Sequence, residues 1–178
     1  VYTAAVGSKA LYDFIDDNPI CCCAPVDYVN NVHTISEIDN FISINSCIGL
    51  DLFGQVCSES AGYRQVSGTG GQLDFVQGAF ASKNGKSFMC THSTRRDSNG
   101  KLHSLIHPVL PAGSIVTTPR SAVNYVVTEF GAVNLKGKST WQRAEMLISI
   151  AHPDFREDLI REAEKMGIWR NTSKIEYL

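Results

Sequence analysis

The chain has no block of basic residues and no strong excess of either charge. Its 16 Lys and Arg stand against 18 Asp and Glu, a formal net charge of −2. A surface that tracks phosphates needs clustered Lys and Arg, so nucleic acid is excluded as a primary partner. The one basic pair, Arg95-Arg96, lies in a Ser/Asp/Asn/Gly stretch and reads as a solvated loop tip. Long apolar runs are missing too. None approaches the ~18 residues of a membrane span, and none has the form of a secretion signal. The six cysteines supply no CxxC pair. Cys21, Cys22 and Cys23 are consecutive, a spacing that suits neither a disulfide framework nor a zinc knuckle. They read as reduced, mostly buried thiols of a cytoplasmic protein. An initiator Met is also lacking: the chain starts Val1-Tyr2-Thr3-Ala4-Ala5-Val6, already strand-like, which predicts a piece of a longer polypeptide.

What is present is enough for one core. A domain of 178 residues buries roughly 70% of the surface its unfolded chain exposes. Ser8 is placed to cap a helix over Lys9 to Asp16, with Leu11, Phe14 and Ile15 on one face. Val26 to Val29 reads as extended. Phe41 to Leu52 alternates apolar and small polar residues like a half-buried strand, and Gln55-Val56-Cys57 suits its hairpin partner. Leu73, Val76 and Phe80 mark a helix that starts near Gln72. Lys86 to Cys90 and Ser114 to Thr117 read as strands, with "STRRDSNGK" and "HPVLPAG" as loops. Val123 to Thr128 is a continuous run suited to a strand buried on both faces. Two helices follow, Ser139 to Ile150 capped by Ser139, and Asp154 to Lys165 opened by Pro153. No repeat and no change of composition marks a boundary. The expected fold is α/β, with an open, largely parallel central sheet flanked by helices.

The stretch "VSGTGGQLDFVQGA", residues 66 to 79, raises the chemical question. Strand, glycine-rich turn and helix is the order in which backbone N–H groups surround an anion, and missing Cβ atoms let a phosphate or thioester approach the main chain. A tight turn would use one glycine; Gly68, Gly70 and Gly71 exceed that need. The dinucleotide fingerprint fails because Leu73 stands where its third glycine belongs. A Walker A loop fails twice. "NGKS" has Phe80 in place of the first glycine, and "GAVNLKGKS" carries one residue too many between Gly131 and Gly137.

Cys90, His92, His103 and His107 form a loose Cys/His set without a second paired ligand motif, so no metal is expected. No histidine is placed beside any one thiol for nucleophilic catalysis. Glu129 ends the run "VNYVVTE". Ligand sites gather at the carboxyl ends of strands in open α/β sheets, so Glu129 reads as a site residue or else a helix cap. Glu59, in "CSES", is either a site group or an exposed loop carboxylate. Lys83, in "ASKNGK", either meets a phosphate or is solvated.

Four segments, "INSCIGLDLFGQVCSES", "SGTGGQLDFVQGA", "YVVTEFGAVNLKGKS" and "IAHPDFRE", resemble in this order the C-terminal half of the acetyl-CoA hydrolase/transferase family, which are class I CoA-transferases. Within the family they are similar to the branch of 4-hydroxybutyrate and butyrate:acetate CoA-transferases. The resemblance covers nearly all of residues 1–178 and implies a two-half enzyme with its active site between the halves. It implies ping-pong chemistry: a glutamate attacks the acyl-CoA thioester, a glutamyl-CoA thioester forms, and a second acid collects the CoA. Coenzyme A and acyl-CoA are then substrates, and no cofactor is permanently bound. The implied partners are acyl-CoA, a small carboxylic acid, the N-terminal half of the same enzyme, and further copies of it.

By the same match, Gly71 supplies a backbone N–H to the thioester oxygen. Ser67, Gly70, Gly71 and Lys83 contact CoA, and Glu129 lines the active site. The family's nucleophilic glutamate lies upstream of the region that resembles Val1, and neither Glu37 nor Glu59 stands in its motif. The chain alone is therefore expected to carry half of a CoA site and little or no activity. An acyl-CoA hydrolase and a CoA-binding module without turnover are the alternatives.

Overall fold

The computed structural model describes residues 1–170. Three short helices come first: α1 (Lys9–Ile15), α2 (Val26–Val29) and α3 (Val32–Ser36). Strands β1 (Ile42–Ser46), β2 (Gly49–Asp51), β3 (Val56–Cys57), β4 (Ser60–Ala61) and β5 (Arg64–Gln65) lead to helix α4 (Gln72–Ala81). Then come β6 (Lys86–Cys90), β7 (Thr94–Arg96), β8 (Leu102–Ser104), β9 (Ile106–His107), β10 (Tyr125–Thr128) and β11 (Gly131–Asn134). Helices α5 (Thr140–Ser149) and α6 (Pro153–Lys165) close the described chain.

The main sheet has the order β1-β6-β10-β11. β1 and β10 both pair with β6 in parallel, and only the β10–β11 hairpin is antiparallel. The expected α/β fold with a largely parallel sheet is what forms. α4 supplies the crossover between β1 and β6 and packs on both. Small residues permit that approach, since Ser43 and Ser87 are buried in the sheet. On the helix itself, a Cβ at Gly78 would lie 2.5 Å from Cγ2 of Ile35, so only glycine lets α3 close against α4. The core gathers Leu50, Leu52, Val76, Met89, Val126 and Leu147 into one cluster.

Local chemistry explains the two C-terminal helices. Ser139 and Gln142 form a reciprocal capping box at the start of α5. Pro153 occupies the first turn of α6, and the His152 ring accepts a hydrogen bond from the Asp154 N–H.

Several expectations need correction. Val26 to Val29 is helical, not extended, because Pro25 fixes the entry and Asp27 favours the first turn. Val1 to Val6 contributes only a bridge from Tyr2 to Cys23. Phe41 to Leu52 is two strands in different sheets, split at Cys47 and Ile48: β1 lies beside β6, while β2 lies between β3 and β9. The hairpin from β2 to β3 is present, with Leu50 opposite Val56. Ser114 to Thr117 is not a strand; the Thr117 and Thr118 N–H groups both donate to the Val56 carbonyl. Arg95 and Arg96 stand in the β7–β8 hairpin rather than a loop tip. Its turn is built by Asp97, whose side chain accepts from the Asn99 and Lys101 N–H groups. The apolar face of α1 is open, with Leu11 and Phe14 exposed. Of the cysteines only Cys47 and Cys57 are buried, while Cys22 and Cys23 are exposed.

Candidate active site

The carboxyl ends of β1, β6 and β10 surround a cleft of about 560 Å³, lined by Ser46, Cys47, Cys90, His92, Arg95 and Glu129 among others. Parallel strands leave their ends free of sheet partners there, which is why α/β proteins place ligands at this edge. Glu129 follows the last residue of β10, as its position in the sequence suggested. Its carboxylate is anchored chiefly by Ser93. The Ser93 N–H donates to Oε2 at 2.9 Å and the Ser93 hydroxyl to Oε1 at 2.6 Å. Partial burial by itself raises the pKa of Glu129. The Ser93 hydroxyl, Glu129's own backbone N–H, the Ser93 N–H and the nearby His92 together outweigh it and hold the carboxyl below the ordinary glutamate range.

Cys47, also in this cleft, is driven the other way. Burial pushes its thiol up to about 12, so it stays protonated at neutral pH and is no nucleophile.

The glycine loop stands at the same edge. α4 runs into β6 through the short turn at residues 82–85, so helix and strand are antiparallel. Ten helical residues rise ~15 Å and five strand residues ~16 Å. The N-terminus of α4 therefore reaches the level where β6 ends. Gly71 is the N-cap of that helix, with an ordinary φ of −94°, and Gly70 has φ +56° in the left-handed region. Ser67 and Val66 are tied down through their N–H groups to the Glu59 carbonyl, and Gln72 donates to the Thr118 hydroxyl.

Within the described chain, one group closely approaches this bare backbone. A Cβ at Gly71 would fall 2.2 Å from Nδ2 of Asn30, whereas Cβ atoms at Gly68 and Gly70 would meet nothing within 4 Å. Ser67, Gly68 and Gly70 are exposed and open to a ligand.

Lys83 is not brought to this edge. It follows α4 at the opposite end of the sheet, its carbonyl bonded to the Asn40 N–H and its ammonium 3.8 Å from Asp39. Glu59 is buried, not an exposed loop carboxylate. The Cys/His set does not converge either. Cys90 and His92 line the Glu129 cleft, and His103 pairs with Asp97 at 2.9 Å. His107 faces a second cavity of about 590 Å³ between the β7–β8 hairpin and α6. That cavity lacks Glu129 and the carboxyl ends of the parallel strands β1, β6 and β10, so the strand-end cleft is the better candidate.

Two contributors were not visible in the sequence. Ser93 sits in a polar stretch that reads as solvated, and Asn30 lies 41 positions before the glycine it covers. Only tertiary packing reveals either.

Residues 7–163 match the acetyl-CoA hydrolase/transferase C-terminal domain. A probable butyrate:acetyl-CoA coenzyme A-transferase of Syntrophomonas wolfei is 58% identical over 98% of this chain and 39% of its own length. A 4-hydroxybutyrate coenzyme A transferase of Clostridium kluyveri is 52% identical over 93% of this chain and 38% of its own. The crystal structure of RipA from Yersinia pestis superposes with a TM-score of 0.82 at 46% identity, covering 91% of this chain and 36% of that one. The chain spans about two fifths of the length of the curated relatives it matches. From its strand-end cleft, its glycine loop and these matches together, the chain belongs to the acetyl-CoA hydrolase/transferase family.

Proposed function

We propose that the chain is the C-terminal domain of a CoA-transferase. It would move CoA between a short-chain acyl-CoA, such as butyryl-, acetyl- or 4-hydroxybutyryl-CoA, and a free carboxylate such as acetate. The observation that carries this reading is the pairing, at one edge of the sheet, of a glycine loop opening a helix with an anchored carboxylate. The family membership supplies the reaction.

In this reading the Gly71 N–H meets the thioester oxygen as negative charge develops on it, a contribution of about 3–4 kcal/mol in comparable sites. Ser67, Gly70 and Gly71 line the path of the CoA arm. Lys83, a helix length of ~15 Å away, serves a more distant part of an elongated CoA. Glu129 lines the pocket of the acid substrate. The attacking carboxylate is a glutamate of the N-terminal part of the enzyme. CoA and acyl-CoA are substrates, with no permanent cofactor. We also propose a cytoplasmic homo-oligomer; the compartment is supported by six free thiols.

The test is covalent trapping in the complete enzyme. Incubation with acyl-CoA followed by borohydride should reduce one glutamyl thioester to an alcohol, found by peptide mass. Enzyme that turns over while no glutamate is reduced or carries CoA refutes the covalent route. Steady release of CoA without any acceptor acid would identify a hydrolase.

A further inference from the structure

Ser93 stands between the end of β6 and the start of β7 and is fully buried. It spends both of its donors on one partner, the N–H on Oε2 of Glu129 and the hydroxyl on Oε1. The hydroxyl contact, 2.6 Å, lies in the range of charge-assisted O–H···O⁻ bonds. Two donors from one residue, one to each oxygen, set the plane of the carboxyl group as well as its position. Glu129 itself is exposed toward the cleft. The other titratable or charged groups lining that cleft are Cys47, Cys90, His92 and Arg95. None of these is bonded to Glu129; beyond its own backbone N–H, the donors that orient its carboxylate come from Ser93.

We propose that Ser93 is a positioning residue that holds Glu129 as a fixed, acceptor-only carboxylate facing the acid-substrate pocket. The inference rests on the proposed role of Glu129 in CoA transfer. A carboxylate whose two oxygens both accept from Ser93 is a weak nucleophile and has no proton to give. It acts by accepting hydrogen bonds and by its charge, and the covalent step belongs to a different glutamate. Without the hydroxyl, Glu129 keeps only backbone donors, the Ser93 N–H and its own, turns more freely and takes up a proton at higher pH.

The test uses the complete enzyme and the pH dependence of kcat/KM. Ser93→Ala should move the acid limb to higher pH and lower kcat on the order of 10–100-fold, while KM for acyl-CoA stays within about twofold of wild type. Ser93→Thr, which restores the hydroxyl, should recover most of the loss and return the limb. In a Glu129→Gln background, Ser93→Ala should cost nothing further. A wild-type limb and kcat in Ser93→Ala, or additive losses in the double variant, overturns the proposal. Should Ser93→Ala not fold, Ser93→Cys gives the weaker donor, and an unmoved limb there overturns it equally. Failure of the underlying reading has a separate signature: Glu129→Gln with wild-type kinetics.

Discussion

Replacing Gly71 by alanine in the complete enzyme separates the chemical role of the glycine loop from its structural one. The new Cβ would fall 2.2 Å from Nδ2 and 2.9 Å from Cγ of Asn30, so the Asn30 side chain must swing aside. The backbone itself tolerates the change, because φ at Gly71 is −94°. Alanine is a poorer N-cap than glycine by roughly 0.5–1 kcal/mol, and the loss is offset by about 0.4–1 kcal/mol from a stiffer unfolded chain. The net effect on stability is small, on the order of 1 kcal/mol or less once Asn30 moves. Turnover should respond far more strongly. A methyl group beside the N–H displaces the thioester oxygen, and loss of one such donor costs about 3–4 kcal/mol, or 10²–10³-fold in kcat. Steady-state CoA-transfer kinetics and thermal denaturation measured on one preparation make the comparison. Adding Asn30→Ala should relieve the crowding and restore stability but leave the rate low relative to Asn30→Ala alone. A folded Gly71→Ala enzyme at the wild-type rate, or recovery of the rate by Asn30→Ala, would refute the reasoning.

Other outcomes follow from burial and charge. Iodoacetamide should modify Cys22 and Cys23 in the native protein and spare Cys47, whose thiol is pushed up to about 12 by burial; Cys47 labelling as fast as Cys22 would contradict this. His107 is held below the ordinary histidine range by burial and by the charge of Arg95, with Asp51 opposing. As pH falls through about 6.5, the unfolded chain binds a proton that the folded chain refuses, so stability declines toward the lowered folded value. The urea midpoint should fall from pH 7.5 to 5.5, less steeply in His107→Gln; equal slopes would remove His107 as the cause.

The sequence revealed most where the determinants are local. α4, β6, α5 and α6 follow from spacing, capping residues and Pro153, and β6 falls on its expected residues. The failures lie where distant partners decide. Alternation through Phe41 to Leu52 falters at Asn45-Ser46, where two polar residues adjoin, and there the chain leaves β6 and joins β3 and β9; the break marks the place but not the new neighbours. The β7–β8 hairpin was hidden because Asp97, Asn99 and Gly100 look the same in a loop and in a turn. Glu129 could be found because a charge at the end of an apolar run is conspicuous. Its anchor Ser93 could not, since a serine beside Thr94 and Arg95 gives no sign of complete burial. Lys83 is near the glycine loop in sequence, and the intervening helix carries it to the other edge of the sheet.

The most direct test is a crystal structure of the complete enzyme with a slowly reacting acyl-CoA. The thioester oxygen should lie about 2.9 Å from the Gly71 nitrogen, with the acyl group directed toward the cleft of Glu129 and Ser93. A thioester bound elsewhere, with the Gly71 N–H facing solvent, would contradict the account.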